Sequence, residues 1–579
     1  MKTKIQVLKY RFMRKTLFVY AVLLLISFQS FSQANDRLMW TVRILSNKLG
    51  MPWEVTYGPD DSLWVTEAKA YRIRKISTIN GGKRTILSLA NNKNFGRSSP
   101  TWPQGGLMGL VLHPQLMSGK PYVYVAYVYR FDSCTTTMTR NPCYFKSKIE
   151  RYTYNIGPNT LTNPVTVMDN IPGSNDHNSG RLAIGPDMKL YYTVGDMGAG
   201  QFGNQSRTEN AQNKDIYEGK ILRLNLEQDT DAPDVTDPFN RWIPNDNPYT
   251  NSVTGKMTAV YTYGHRNAQG LVWGHINLGD SLFSSEHGPQ SDDEVNIITR
   301  GKNYGHPYVM GYCDGNFNGI SNGPYTPSAS NGEQNNCATY NLYGSQPIKT
   351  LFSTNAPNPD PESNNATWPT VGPSSIDFYE SNVLPGWQNS LLVTTLKNGR
   401  VIRLKLNANG NGVAADNGMN GTDTITYFNS SNGQSRYRDL CISPDGLKIY
   451  VATDSSGSTS GPTTGVTSLP NNPGCILEFS YSGVLALRDM PASPKYDIRA
   501  EMKVYPNPAT SSLNILVKRG VSKPMRVQLF DIAGKMIYQE FSNKDNFSID
   551  VSDYIRGVYL LKIYNGSDVP VLLEKVIFK

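Results

Sequence analysis

Four clusters of polar residues in this chain could do chemistry, all in loops or at the ends of strand-like runs. The first is Asp176-His177-Asn178-Ser179-Gly180-Arg181. An imidazole beside a carboxylate can accept a proton near neutral pH, because its ordinary pKa lies close to it. The second runs from Gly264 to Gly270 and sets Arg266 beside Asn267. A permanently charged fork next to an amide suits a bound carboxylate. The third, Glu286-His287-Gly288-Pro289-Gln290-Ser291-Asp292-Asp293-Glu294, joins a run of acids to the carbonyls of a Gly-Pro turn. Calcium takes carbonyl and carboxylate oxygens together, so this cluster reads as a hard-cation site or as a solvated acidic turn. The fourth is split between Lys397 and Arg436-Tyr437-Arg438. These cations could converge on one polyanion or be solvated one by one.

The elements that must position these clusters form a repeat. A short apolar strand leads through a turn to a second strand rich in Tyr and Val, and often to a third that alternates Ile, Leu, Arg and Tyr. Copies begin near Trp53 (EVTYGPDDSLWVTE), Gly106 (GLMGLVLHPQ), Gly180 (GRLAIGPDMKLYYTVGD), Gly270 (GLVWGHINLGDSLFSSEHG), Ser374 (SSIDFYES) and Tyr437 (YRDLCISPDGLKIYVATD). Six antiparallel units at irregular spacing predict a six-bladed β-propeller over residues 34–488, with a β-sandwich array as the alternative. Insertions between strands become long loops at one end, where such folds carry their sites.

Beyond Arg488 the pattern changes. A linker at 489–501 leads to a segment at 502–579 with period-two alternation and tight turns, which predicts a small antiparallel β-sandwich. Its VYPNPATSSLNI opening and the GVYLLKIYN strand near its end resemble the C-terminal sorting domain of type IX secretion cargo. An ordinary carbohydrate-binding or spacer sandwich is the other reading. At the opposite end, Lys2, Lys4, Lys9, Arg11, Arg14 and Lys15 precede an apolar run from Leu17 to Phe28 and the small polar stretch Ser30 to Ala34. Residues 1–33 therefore read as a signal peptide. The mature protein is expected outside the cytoplasm, secreted or at the cell surface and exported through the periplasm.

Composition agrees with this class. Of 579 residues, 39% are hydrophobic and 18% charged, with 50 Gly, 36 Pro and 34 Tyr, a mixture of short strands and turns rather than helical bundles or disorder. The formal charge of +9 is scattered, with no polybasic run past the first residues, so no nucleic-acid partner is expected. Six Cys suit an oxidising compartment. Cys134 with Cys143, and Cys313 with Cys337, flank loops and could both be disulfides. No CxxC occurs, which argues against zinc.

Taken in order, the motifs resemble the soluble quinoprotein glucose/sorbosone dehydrogenases, which use pyrroloquinoline quinone (PQQ) and calcium. The resemblance runs from about Arg43 to Ser480 through QGGLMGLVLHP at Gln104, DHNSGRLAIGPD at Asp176, YTYGHRNAQGL at Tyr261, SEHGPQSDDEVNII at Ser285, GKNYGHPYVMGY at Gly301, WPTVGPSS at Trp368 and RYRD at Arg436. It implies oxidation of an aldose to its lactone, with His177 as general base and Asp176 orienting that imidazole. Gln104 and Asp176 match positions that touch cofactor or substrate, Arg266 and Asn267 match PQQ contacts, and Trp368 matches a position near the cofactor face. Lys397, Arg436 and Arg438 match the cations that hold the PQQ carboxylates. The Gly288 and Pro289 carbonyls match ligands of the calcium on PQQ. Glu294, Tyr304 and Asp314 fall where the family's glucose enzyme holds further calcium at its dimer interface, which points to a homodimer. The stretch between Gly195 and Gly219 is shorter than in that enzyme, and Asp314 to Asp360 is recast, so the sugar itself is not legible. Two other readings are a calcium-dependent propeller sugar lactonase and a non-catalytic sugar-binding propeller. The first has no use for an anion cradle at Lys397, Arg436 and Arg438, and the second no use for both His177 and Arg266.

Overall fold

The computed structural model describes residues 40–579 except 97–101, 136–141, 201–203, 231–239, 277–278, 290, 316–331, 352–369, 398, 415–424, 431–434, 456–470, 482–501, 518–523, 532–535 and 566–569. The expected signal peptide and linker lie outside the described residues, as does Trp368. The chain divides into a unit of Thr41–Ser480 and a second made of Tyr481–Lys579 with Met1–Trp40. Among the described residues, no helix is long and apolar enough to cross a membrane.

The larger unit is built almost wholly from strands. Among the described residues it holds six four-stranded sheets. Their first strands are Pro52–Tyr57, Leu107–Leu112, Leu182–Ile184, Ala268–Ile276, Pro373–Tyr379 and Tyr437–Ile442. Each first strand touches the next, and the sixth touches the first, which makes a closed propeller-type ring. The sixth sheet joins the two ends of the unit, with Trp40–Ser46 added beside Ile476–Tyr481.

Second strands such as Ser390–Thr395 are buried at every position. A sheet covered on both faces reads as a continuous apolar and β-branched run rather than an alternation, and this is how SLLVTT reads. The C-terminal unit differs. Ser512–Val517 and Met525–Phe530 alternate strictly between buried and half-exposed positions, so each sheet there covers one face only. Its two sheets have three and four strands. The bonds Cys134–Cys143 and Cys313–Cys337 are both formed, and Cys441 and Cys475 are buried free thiols.

Candidate active site

In an antiparallel pair, the start of the first strand and the end of the second lie side by side. Ala268 pairs with Glu286, Pro373 with Thr395, and Tyr437 with Thr453. The sequence clusters fall at these two positions, so the topology collects them at one end of the ring. Near the heads of five first strands the register slips: between Pro52 and Glu54, Leu107 and Leu110, Ala268 and Gly270, Pro373 and Ser375, and Tyr437 and Asp439. A bulge re-aims the side chain it releases. The released residues include Trp53, Gln269, Ser374 and Arg438.

The base side is a loop-to-loop network. His177 has a left-handed backbone (φ 51°) and is 3% exposed. Its carbonyl packs so closely on Gly195 that a Cβ there would meet it at 1.8 Å. His177 Nδ1 donates to Asp196 Oδ1 at 2.7 Å. Asp176, expected to orient this ring, instead stands 3.8 Å from Nε2. The left-handed turn separates the two neighbouring side chains, and the partner comes from the far end of the second strand. Asp176 Oδ1 accepts from Gln104 Nε2 at 2.9 Å and from the His177 amide at 3.0 Å. Asn178 braces the arrangement, its amide donating to Gln104 Oε1 and its side chain to the Gln104 and Ser174 carbonyls.

Asp196 is wholly buried and shared. Its Oδ2 lies 3.0 Å from His306 Nε2, which is also 3.3 Å from Glu209 Oε2. Burial alone would raise the Asp196 carboxyl; the two imidazoles outweigh it and hold it well below the usual carboxylate range. Burial would lower His306, but Glu209 and Asp196 push it up to about 9.

The cation side is largely buried. Arg266 donates to the His287 carbonyl at 3.2 Å. Its loop is capped by Glu286, which accepts from the Arg266 and Asn267 amides and sits 3.0 Å from His265 Nδ1. Asn267 Oδ1 accepts from Ser179, tying this loop to the base side. Arg436 and Arg438 both bind Asp454, and Lys397 Nζ donates to Thr370 at 3.0 Å. Burial lowers the pKa of Arg266, Lys397 and Arg436, and nearby acids such as Asp196, Asp293 and Asp454 oppose it. His287 feels Arg266, His177 and Arg438 together: burial first, then those positive groups, hold it well below its ordinary value. The base and the cations Arg266 and Arg438 therefore lie close enough to act together on one buried imidazole.

The Gly288-Pro289 turn is buried and tight; a Cβ on Gly288 would meet the Ser291 carbonyl at 1.7 Å. Asp293 holds it, accepting from the Gly288 amide and, across to the fifth sheet, from the Val371 and Gly372 amides. Two carbonyls from one turn are donors a hard cation takes. Glu294 accepts from the Gly311 amide and from Asn296, and burial, then Glu286 and Asp292, push it up to about 8. The Tyr304 hydroxyl donates to the Ile297 carbonyl, and its ring stacks on His265. Asp314 follows the Cys313–Cys337 bridge. Among the described residues, the one trio of His, Cys, Asp or Glu side chains close enough for a metal is Asp196, Glu209 and His306, which includes neither Glu294 nor Asp314.

Asp196 and Asp454 were not singled out from sequence, and Glu286 was read only as part of the acidic third cluster, yet the three share a signal. With Glu67, each is an acid at or just past the end of a second strand, in TVGD, SSE, ATD and VTE.

Residues 49–335 and 333–460 match the glucose/sorbosone dehydrogenase family, and residues 503–579 match the secretion system C-terminal sorting domain. Quinoprotein glucose dehydrogenase B of Acinetobacter calcoaceticus is 34% identical over 470 residues, covering 76% of this chain and 90% of that protein. Aldose sugar dehydrogenase YliI of Escherichia coli (strain K12) is 26% identical over 418 residues, covering 72% and 90%. A crystal structure of a glucose dehydrogenase, 22% identical, shares the fold with a TM-score of 0.51 over 76% of this chain and 99% of that one.

Proposed function

The chain belongs to the glucose/sorbosone dehydrogenase family, and from that premise we propose that it oxidises an aldose at the anomeric carbon to the lactone, with PQQ and calcium bound. The observation that carries the reading is the gathering of buried cations beside the base: Arg266, Arg438 and His177 all act on the buried His287, and His177 is held by Asp196. An anionic cofactor fits such a cradle, because a buried cluster of cations favours a bound anion. A lactonase would need no such cradle.

His177 Nε2 takes the proton of the anomeric hydroxyl. Asp196 fixes the tautomer through Nδ1 and stabilises the imidazolium that forms. Gln104 and Asp176, bonded to each other beside that nitrogen, orient the sugar. Arg266, Asn267, Lys397, Arg436 and Arg438 hold the cofactor, and the Gly288 and Pro289 carbonyls hold the metal. When bound, PQQ supplies the acceptor for the hydride that leaves the anomeric carbon, and calcium the Lewis acid upon it. The same reading keeps Trp368 at the cofactor face and puts further calcium at Glu294, Tyr304 and Asp314 in a homodimer contact.

In domain terms, 1–33 is a signal peptide, 34–488 a six-bladed catalytic propeller, 489–501 a linker and 502–579 a β-sandwich. That sandwich carries the enzyme, after its passage through the periplasm, to the type IX machinery.

Two carbonyls are too few for a cation that wants six to eight oxygens, so a bound cofactor would supply further oxygens there, and each would tighten the other's binding. Titrating apo-protein with PQQ at low and high calcium, then adding an aldose and a dye acceptor, tests this. Dye reduction that needs both, with a PQQ dissociation constant that falls as calcium rises, is expected. Sugar-lactone hydrolysis without dye reduction would overturn the reading.

A further inference from the structure

The bulges at the strand heads turn Trp53, Gln269, Ser374 and Arg438 out of the ladders, and the first three of these meet around one guanidinium, that of Arg181. Arg181 is 3% exposed and stands just before the first strand of the third sheet. Its Nε donates to the Gln269 carbonyl of the fourth sheet at 2.9 Å. Its Nη2 donates to the Ser374 carbonyl of the fifth sheet at 3.2 Å. Its Nη1 pairs with Glu54 of the first sheet and, at 3.1 Å, with Asp439 of the sixth. The guanidinium lies 4.3 Å from the centre of the Trp53 ring. One side chain thus ties together five of the six sheets.

The same two residues hold Arg438 by their other ends. Arg438 Nη1 donates to Gln269 Oε1 at 2.8 Å and to Ser374 Oγ at 3.1 Å, while Ser374 Oγ donates to the Arg438 carbonyl at 2.7 Å. Arg181 therefore grips the backbones of the residues whose side chains grip Arg438. Asp454 takes the remaining face of Arg438, through Nε at 2.9 Å and Nη2 at 2.8 Å. The planar fork is what makes this possible: three nitrogens in fixed directions reach partners in four sheets, which a Lys ammonium on a flexible stem cannot do at once.

We infer that Arg181 is a positioning residue for the cofactor cradle, setting the place of Arg438 through Gln269 and Ser374 without touching the cofactor. This rests on the reading of Arg438 as a cofactor-holding cation. Rigidity of this kind lowers the ordering that binding must otherwise supply, so its loss falls on cofactor affinity before it falls on the chemical step.

The test titrates apo-protein with PQQ in calcium, following intrinsic tryptophan fluorescence, in Arg181→Lys, Asp439→Asn and Arg438→Lys. Arg181→Lys is expected to raise the PQQ dissociation constant about tenfold, the usual worth of a charge-assisted hydrogen bond, with kcat at saturating PQQ within a factor of about two. Asp439→Asn frees one anchor of Arg181 and leaves the Arg438 side chain alone; a rise of a few-fold is expected. It decides the matter if Arg181→Lys does not fold. If Arg438→Lys weakens PQQ while the folded Arg181 and Asp439 variants bind it as the parent does, the inference is overturned and the cradle stands. If Arg438→Lys also binds PQQ unchanged, the cradle reading falls, and the inference with it.

Discussion

The two units of this chain bury different things. The larger one buries Arg181, Arg266, Arg438, Asp196, Glu286 and Asp454 at the heads of its sheets. In the C-terminal unit, among the described residues, the only buried polar side chain is Ser542, within a core of residues such as Leu513, Ile515, Val527 and Leu561. Burying charge is unfavourable unless each group is paired and hydrogen-bonded, so a fold does it where chemistry requires a dry, ordered field. A unit held together by apolar burial alone carries its information on its surface, as a domain read by other machinery must. Changes to buried charge should therefore disable the larger unit's chemistry, and removal of the smaller unit should not.

The largest effect is expected at His177. His177→Ala should lower turnover by about two to four orders of magnitude, the usual worth of a general base, while PQQ binding by apo-protein stays near the parent's. Near-parental dye reduction by the purified variant would take His177 out of that role. Asp196→Asn comes next. The bond from imidazolium to carboxylate is worth about 1.5–3 kcal/mol, hence roughly 10- to 150-fold in kcat, with little change in KM. A loss confined to KM would mean that Asp196 shapes the sugar pocket rather than the base.

These two residues also mark how far the sequence could be read. His177 was legible because a His next to an Asp in a Gly-flanked loop is a local signal. Its true partner was not, because Asp196 lies 19 positions on and reads as the end of a buried strand. The repeat that predicted six units was legible from strand and turn periodicity, and it contained the missing clue in the acids that close TVGD, SSE and ATD. The cations Arg266, Lys397, Arg436 and Arg438 were legible as charges in turns; that Arg438 is held from behind by Arg181 was not, since bulges leave no signature in a run such as YRDLCI. His306 and Glu209 carry no local signal at all, and only the packing of loops from different sheets joins them to the base. The Tyr304 hydroxyl is joined to backbone at Ile297 and Thr299, pairings between loop and strand that a reading of the local sequence does not give.

A smaller effect is expected in stability. Glu54 and Asp439 share the Arg181 guanidinium, and burial first, then the Asp439 charge, push Glu54 up to about 8 from an ordinary 4.5. A carboxyl whose pKa is higher folded than unfolded binds more protons in the folded state. Its contribution is complete below the unfolded value, about 4.5, and is lost as the pH rises through about 8. The melting temperature of the larger unit should therefore fall across that window, and Glu54→Gln should flatten the slope. Buried Asp377, pushed up to about 7 by burial and then by Asp439, acts in the same sense, so part of the slope will remain. An unchanged slope in Glu54→Gln would mean that Glu54 is not a group titrating in that window.

The smallest effect on catalysis is expected from the largest deletion. The C-terminal unit has its own core, Met502 through Phe578, assembled from strands of that segment alone. Neither of its sheets lends a strand to the ring, which is completed instead by Trp40–Ser46 beside Ile476–Tyr481. A chain ending near Arg488 keeps every described strand of the six sheets and every residue assigned to the site. It should fold, melt cooperatively, bind PQQ and oxidise sugar with kcat and KM within a factor of about two of the full chain, the scatter expected of changes remote from a site. In a host with the type IX system, the same shortened chain should remain in the periplasm while the full chain reaches the surface or medium. Loss of sugar oxidation on truncation would mean that the chemistry needs the smaller unit after all. Normal export of the shortened chain would leave the larger unit carrying the address as well as the chemistry.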